Sequence, residues 1–210
     1  MIKAIIFDFD GVIVDSVDLK TEAFKELYKD YNKQILKSIV AHHNQNGGMS
    51  RYEKFKFYHE KYLNKRITNL ELNRLGKQFS RIVENKIIKT KYIKGSFEYI
   101  SENYKKYKLF ISSGTPENEL RRICKKRNIS KYFHKIYGSP NSKVKHIKNV
   151  IEYTKVLKKE IIYIGDSKND YDAANKMNVN FIGLGKNFQK NGKNKIINIK
   201  NCFDLYKIIK

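Results

Sequence analysis

Prolines, cysteines and long apolar runs are scarce in this chain, and each scarcity excludes a class of protein. The two prolines, and the lack of any glycine- or serine-rich stretch, leave no linker between separate domains in the 210 residues. The two cysteines, Cys124 and Cys202, are too few for a disulfide framework and lack the spacing of a metal site. No apolar run is long enough to span a membrane, and no signal peptide precedes the apolar segment that begins at Ala4. These features predict a soluble, cytoplasmic protein.

Acidic residues are also few, since 21 Asp and Glu face 44 Lys and Arg, which gives a net charge of +23 at pH 7. Such a charge attracts polyanions through its long-range field. The basic residues are nevertheless scattered along the whole chain, and we find no motif typical of nucleic-acid binding. We therefore expect weak, nonspecific polyanion binding at low salt, and no dedicated nucleic-acid or membrane partner.

The remaining composition, with 40% apolar residues, is sufficient for one core with a sizeable insertion. After a short apolar run at residues 4–7, apolar residues recur at helical spacing through residues 16–92. From about residue 95 the pattern alternates between helix and strand, which predicts right-handed crossovers and a parallel sheet with helices on both faces. We expect an α/β core of the Rossmann-like type from residues 1–15 and 93–210, with a helical insertion at 16–92.

The segment that directly follows the first apolar run holds two aspartates with one residue between them, Asp8 and Asp10. In an extended segment these side chains point the same way, so both emerge at the carboxyl end of the predicted strand. Two carboxylates held that close repel each other unless a cation or a shared proton intervenes. Gly11 then permits a sharp turn where the main chain can approach a ligand. An aspartate-rich surface turn is the alternative interpretation.

Four segments, in order, resemble the motifs of the haloacid-dehalogenase-like (HAD) hydrolases. The first, DFDGVIVDS at residues 8–16, is most similar to the branch of phosphoglycolate phosphatases and β-phosphoglucomutases. The others are FISSGTP at 110–116, YGSPNSK at 137–143 and IYIGDSKND at 162–170, and each lies at the end of a predicted strand. The resemblance implies a Rossmann-like parallel sheet and identifies residues 16–92 as a helical cap domain.

The resemblance also implies roles for the acidic residues. Asp8 would be the nucleophile, and Asp10 would protonate the leaving alcohol and then activate water. Mg²⁺ would be held by Asp8, by the main-chain carbonyl of Asp10 and by Asp166. Asp170, four residues later, would support the metal ligands or orient the basic residue of the third motif, and a helix-capping charge is its alternative role.

The second motif would bind the phosphoryl group. The resemblance makes Ser112 the phosphate-binding hydroxyl, while Ser113 and Gly114, like Gly11 in the first motif, would contribute mainly main-chain contacts. In the third motif Lys143 would pair with Asp8 and offset charge on the phosphoryl group, and Lys145 is the competing candidate.

The insertion offers fewer signals. Arg51 follows the loop Gly47–Gly48 and is the best candidate for contact with the substrate, with an exposed helix charge as the equally weighted alternative. Lys20 occupies a position where β-phosphoglucomutases often carry histidine, and this difference disfavours the mutase. The pair His42 and His43 is typical of a solvated helix end.

We predict a Mg²⁺-dependent phosphatase that acts on a small phosphorylated substrate. A sugar phosphomutase using the same aspartates is one alternative. A nucleic-acid-binding protein or polynucleotide end phosphatase on the same scaffold is another. The sequence leaves the identity of the substrate and the oligomeric state open.

Overall fold

A computed structural model of the chain describes residues 1–185, 188 and 196–209. These residues form a parallel sheet in which the strands lie in the order β3-β2-β1-β4-β5-β6. The strands are β1 (Ala4–Phe7), β2 (Lys108–Pro116), β3 (Lys135–Ser139), β4 (Ile161–Gly165), β5 (Asn180–Leu184) and β6 (Ile197–Ile199). The Rossmann-like α/β fold expected from the sequence is thereby confirmed.

The central strand β1 is buried on both faces, which explains why it consists of four apolar residues in succession. Ile5 and Phe7 belong to the larger hydrophobic cluster, and Ala4 and Ile6 belong to a second cluster on the opposite face of the sheet. Burying a side chain of this size contributes about 1.5–3 kcal/mol. The strand therefore holds the chain rigidly up to Asp8, the first residue beyond it.

The helices are α1 (Val17–Leu27), α2 (Lys33–Gln45), α3 (Arg51–Lys61), α4 (Asn69–Lys89), α5 (Ser96–Asn103), α6 (Glu117–Lys126), α7 (Lys143–Thr154), α8 (Lys168–Met177) and α9 (Leu205–Ile208). Helices α1–α4 follow β1 in the sequence, within the predicted insertion at 16–92, and we call them the cap helices. Among the helices described, none has both the length and the apolar character needed to cross a membrane.

Aromatic side chains hold the cap helices together. Phe24 of α1 contacts Phe55 and Tyr58 of α3 and Phe79 of α4, with ring centroids 4.8–5.7 Å apart. Such tilted and edge-on pairs contribute stability beyond the area that they bury. Helix α3 begins at the predicted capping box, in which the Ser50 side chain and a glutamate three residues later satisfy main-chain N–H groups. The position of α3 relative to the sheet is therefore well determined.

Strand β2 continues past Ser112, because its pairing with β3 resumes at Pro116 after an irregularity. Helix α7 ends at Thr154, where Lys155 takes a left-handed conformation with φ 56°.

Candidate active site

Three carboxylates meet at the carboxyl ends of β1 and β4. Asp8 follows β1, Asp166 follows β4, and Asp170 lies in the first turn of α8. One oxygen from each of the three lies within 4.8 Å of the others. Parallel strands bring their carboxyl ends to one edge of the sheet, so the placement follows from the topology.

Lys143 is the cation of this cluster. Its Nζ lies 3.1 Å from Asp8 Oδ2 and also donates to Asp170 Oδ1. The lysine is buried in the first turn of α7, whose N-cap is Ser142, whereas Lys145 is exposed on the same helix. Of the two lysines left open by the sequence, the structure therefore brings Lys143 to the site. Asp170 holds that lysine beside Asp8, and Asp170 itself accepts hydrogen bonds from the Ser167 main chain and side chain.

The carboxylates have perturbed protonation. Burial, followed by repulsion from Asp170, raises the pKa of Asp8 well above its usual value, although Lys143 opposes the rise. The same two causes raise the pKa of Asp166 to about 7. Carboxylate oxygens in this number exceed what one lysine neutralises, and hard oxygen ligands of this kind suit Mg²⁺. Asp8, Asp166 and Asp170 therefore form a group that could hold a divalent cation.

The carboxylate of Asp10 does not belong to this acidic cluster among the described residues. It accepts hydrogen bonds from Ser16 Oγ at 2.6 Å and Thr115 Oγ1 at 3.2 Å, and it forms an ion pair with Lys20. Burial would raise the pKa of Asp10, but the Lys20 ammonium and the hydroxyl donors lower it below its usual value. Only the main chain of Asp10 is left for the predicted metal contact. Gly11 has φ +79°, and a side chain there would overlap the Asp166 carboxylate. The main chain of Gly11 therefore lies directly against that carboxylate.

The structure corrects the placement of Ser112. Its hydroxyl does not face the crevice but lies 2.9 Å from His146 Nδ1, and it accepts from the Tyr163 hydroxyl at 3.1 Å. Because His146 Nε2 lies 3.1 Å from the Gly138 carbonyl, which can only accept, Nε2 carries the ring proton and Nδ1 accepts from Ser112. Of the two serines in this motif, Ser113 is the one whose hydroxyl reaches Asp10, at 3.3 Å. Adjacent strand residues point to opposite faces, which accounts for the one-residue difference.

The loop between α2 and α3 closes over the site. A Cβ on Gly48 would lie 2.6 Å from Lys143 Nζ, and a Cβ on Gly47 would lie 3.0 Å from the Ser167 side chain. From the other side, a Cβ on Gly114 would lie 2.5 Å from the carbonyl oxygen of Gly48. Gly48 also has φ +73°, a left-handed conformation that favours glycine. The glycines thus allow the loop of the cap to lie directly against Lys143 and Ser167.

Arg51, predicted as a substrate contact or an exposed charge, is buried in the structure. Its guanidinium donates to both oxygens of Glu119 at 3.0 and 2.7 Å and lies over the Phe79 ring. Ser80 donates to the same carboxylate. Glu119 belongs to α6, which packs on the sheet, so the ion pair joins the cap helices to the other half of the protein. The exposed-charge interpretation is therefore wrong, whereas contact with the substrate stays a prediction, since Arg51 lines the cavity beneath the cap.

A cavity of about 460 Å³ lies between the cap helices and the sheet. Asp10 and Asp166 line it from the sheet side, and Phe24, His43 and Lys54 line it from the cap helices. No signal in the sequence singles out Lys54, because it is one of 44 basic residues and only its spacing of three from Arg51 on one helix face sets it apart.

His43 was expected at a solvated helix end, but it is buried against the Phe24 ring at 4.7 Å between centroids. Burial, followed by the nearby Lys54 charge, lowers the pKa of His43 to about 3. The imidazole is therefore neutral at physiological pH. The prediction failed because a helix end that is exposed on its own is covered here by α1 and α3.

Comparisons with known proteins agree with this geometry. The family model described as haloacid dehalogenase-like hydrolase matches residues 5–184. The phosphorylated carbohydrates phosphatase of Thermotoga maritima is 22% identical over 179 residues, which cover 82% of this chain and 80% of that protein.

Solved structures of two related proteins share the fold over nearly the entire chain. The β-phosphoglucomutase of Clostridium difficile superposes with a TM-score of 0.77 at 21% identity, covering 100% of this chain and 96% of that one. A protein from Haemophilus somnus, described as a predicted phosphoglycolate phosphatase, gives a TM-score of 0.75 at 20% identity, covering 100% and 98%. With the match of the family model over most of its length, the chain belongs to the haloacid dehalogenase-like hydrolases.

Proposed function

We propose that this protein is a Mg²⁺-dependent phosphatase that hydrolyses a small phosphomonoester through an aspartyl-phosphate intermediate. The observation that supports it most is the buried Asp8 carboxylate, only 2% exposed, with Lys143 Nζ at 3.1 Å. A carboxylate so placed can attack phosphorus, while the adjacent cation offsets negative charge on the transferred group. Membership of the family and the phosphatase name of the Thermotoga relative favour the same chemistry.

The proposed reaction has two steps, both centred on the phosphorus atom. In the first, a carboxylate oxygen of Asp8 bonds to phosphorus as the ester P–O bond breaks, and Asp10 gives its proton to the departing alkoxide. In the second, Asp10 takes a proton from water as the water oxygen attacks phosphorus, and inorganic phosphate and the free Asp8 carboxylate result. Because Lys20 favours the ionised form of Asp10, the observed arrangement corresponds to the state that accepts a proton.

Mg²⁺ would be held by Asp8, Asp166 and Asp170, together with the main chain of Asp10. When bound, the ion would neutralise charge on the phosphoryl group and on the carboxylates around it. Lys143 would then pair with the phosphoryl oxygens as well as with Asp8, because Asp170 keeps its ammonium group in place. Ser113 and the main chain of the second motif would contact the same oxygens.

We assign the two parts of the chain separate roles. Residues 1–15 and 93–210 would form the catalytic core, and residues 16–92 would form a cap domain that selects the substrate. The contact of Gly48 with Lys143 supports this division, since it places the cap directly over the reacting groups. Cavity volume limits the substrate to a small molecule.

A sugar phosphomutase is the second candidate, because the β-phosphoglucomutase of Clostridium difficile has the same fold. A mutase would use Asp8 and Asp10 in the same way but would return the phosphoryl group to a second hydroxyl of the sugar. Such an enzyme requires a bisphosphate activator, whereas a phosphatase releases inorganic phosphate without one.

The deciding experiment measures phosphate release from a panel of phosphorylated sugars, glycolate and nucleotides, with and without Mg²⁺. We expect Mg²⁺-dependent release that is abolished in Asp8→Asn and retained in Asp18→Asn, a matched change at an exposed aspartate of α1. Full activity of Asp8→Asn would exclude the covalent mechanism. Absence of release from every compound, followed by conversion of a sugar phosphate once a bisphosphate is added, would identify a mutase.

A further inference from the structure

Lys54 is a buried cation whose position the proposed reaction does not explain. It lies on α3, three residues after Arg51, and is only 2% exposed. Its Nζ donates to His43 Nδ1 at 2.8 Å and to the His43 carbonyl oxygen at 3.2 Å. The ammonium group has three donors, so one remains after these two contacts. Lys54 lines the cavity beneath the cap.

The partners of Lys54 leave its charge uncompensated. Three other basic side chains near the site are buried or nearly so, and each has a carboxylate partner. Lys20 pairs with Asp10, Arg51 pairs with Glu119, and Lys143 pairs with Asp8 and Asp170. Within the described part of the chain, no carboxylate oxygen lies within 4 Å of Lys54 Nζ. His43 cannot compensate the charge because it is neutral. A buried charge without a partner is costly, so its presence calls for a ligand.

The surroundings of Lys54 agree with this interpretation. Burial, followed by repulsion from Lys20, lowers the pKa of Lys54 to about 7, with Asp10 opposing the shift and Lys143 adding to it. An anion bound in the cavity would restore the charged form. The Phe24 ring, 5.7 Å from Nζ, makes a weak cation–π contact with the ammonium but offers no carboxylate to neutralise it.

We propose that Lys54 binds a second anionic group of the substrate, at the end opposite the phosphoryl group that reacts at Asp8. The substrate class is therefore a small phosphomonoester that also bears a carboxylate or a second phosphate. For the end of the substrate that reacts, this inference rests on the proposed phosphatase function. For the other end, it rests on the Lys54 charge, which has no carboxylate partner. The cavity of about 460 Å³ accommodates both groups of such a molecule.

The test compares substrates that differ only in the second group. One pair is 2-phosphoglycolate and 2-hydroxyethyl phosphate, which tests a carboxylate, and the other is glucose 1,6-bisphosphate and glucose 1-phosphate, which tests a phosphate. The specificity ratio is kcat/KM for the anionic member over kcat/KM for its partner. We expect a ratio of about 10- to 100-fold for at least one pair, as for a hydrogen bond between charged groups. The pair with the larger ratio identifies the second group.

The variants isolate Lys54. In Lys54→Met the ratio should fall to near one, because the side chain keeps its volume and loses its charge. In Lys56→Met, a change at an exposed lysine of the same helix, the ratio should equal that of the wild type. Thermal unfolding establishes that each variant is folded. A wild-type ratio near one in both pairs, or a ratio retained in Lys54→Met, would overturn the inference.

Binding of a pair of phosphonates separates this inference from the proposed function, because phosphonates are not hydrolysed. The dissociation constants of 3-phosphonopropionate and propylphosphonate are compared in the presence of Mg²⁺ for the same three proteins. A preference for 3-phosphonopropionate that depends on Lys54, without phosphate release from any substrate, would overturn the phosphatase and support the anion site. Phosphate release, with no preference for the doubly anionic compound in either assay, would support the phosphatase and overturn the anion site at Lys54.

Discussion

A buried lysine lies at the sheet edge and another lies in the cap helices, and the two differ in their partners. At the sheet edge Lys143 lies between Asp8 and Asp170, and each charged group has a partner of opposite sign. In the cap Lys54 is equally buried but contacts a neutral imidazole and a carbonyl oxygen. The Lys143 ammonium is therefore paired with carboxylates of the protein, whereas the Lys54 ammonium has no carboxylate within 4 Å among the described residues. This difference underlies our proposal that the sheet edge carries out the reaction and that Lys54 recognises the substrate.

Removing the two lysines should therefore change stability in opposite directions. Lys143→Met leaves Asp8 and Asp170 buried without a cation, and loss of one member of a buried ion pair costs about 3–5 kcal/mol. Lys54→Met removes an uncompensated charge, so its free energy of unfolding should equal or exceed that of the wild type. Urea unfolding at neutral pH measures both. A comparable loss of stability in the two variants would contradict the comparison.

The second prediction concerns the ion pair that joins the two regions. Glu119→Gln leaves the buried Arg51 without its carboxylate and should cost about 3 kcal/mol or more of unfolding free energy. Glu84 provides the control, since it pairs with Arg122 of the same helix α6 at 2.9 Å but at the surface. Glu84→Gln should cost at most about 1 kcal/mol. Equal effects would show that the buried pair has no special role in closing the cap.

A third prediction tests the contact between the cap loop and Lys143. Gly48→Ala imposes a left-handed backbone on alanine and places its Cβ 2.6 Å from Lys143 Nζ, so we expect kcat to fall about tenfold or more as the loop is displaced. Gly185→Ala imposes the same kind of strain at φ +89°, but no atom of the residues that the structure describes lies within 4 Å of the added Cβ. It should lose a little stability, about 1 kcal/mol, and no activity. Equal losses of kcat in both variants would attribute the effect to backbone strain alone.

The last prediction is a dependence of stability on pH. The pKa of Lys54 falls from 10.5 to about 7 on folding, so between these values the unfolded chain binds a proton that the folded protein has released. The free energy of unfolding of the wild type therefore rises with pH across this window, as the cost of burying the Lys54 charge is lost. The advantage of Lys54→Met over the wild type should be largest near neutral pH and should shrink toward about pH 10.

Lys20, Lys143, Asp10 and His43 all face Lys54 and are unchanged in the variant, so the difference isolates this one group. Lys56→Met, measured over the same range, corrects for the general titration of surface lysines. An advantage that grows as the pH rises would contradict the assignment.

Much of the fold was predictable because periodicity reports local structure. The alternation after residue 95 indicated a parallel sheet, and the apolar run of β1 indicated burial on both faces. The ends of elements were less predictable: β2 passes Ser112 because pairing with β3 continues, and that pairing is not local. Its consequence was the displacement of the crevice-facing hydroxyl from Ser112 to Ser113.

The sequence alone determined the local elements and, through the resemblance of four motifs, the candidates Asp8, Asp10 and Asp166, while it left Lys143 and Lys145 open. Tertiary structure decided the rest, because strands from distant parts of the chain pair and bring their carboxyl ends to one edge. The pairing of Arg51 with Glu119 and the burial of His43 and Lys54 depend on segments that are distant in the sequence. Burial by distant segments determines the charge state and the partners of a side chain, and no local pattern records it.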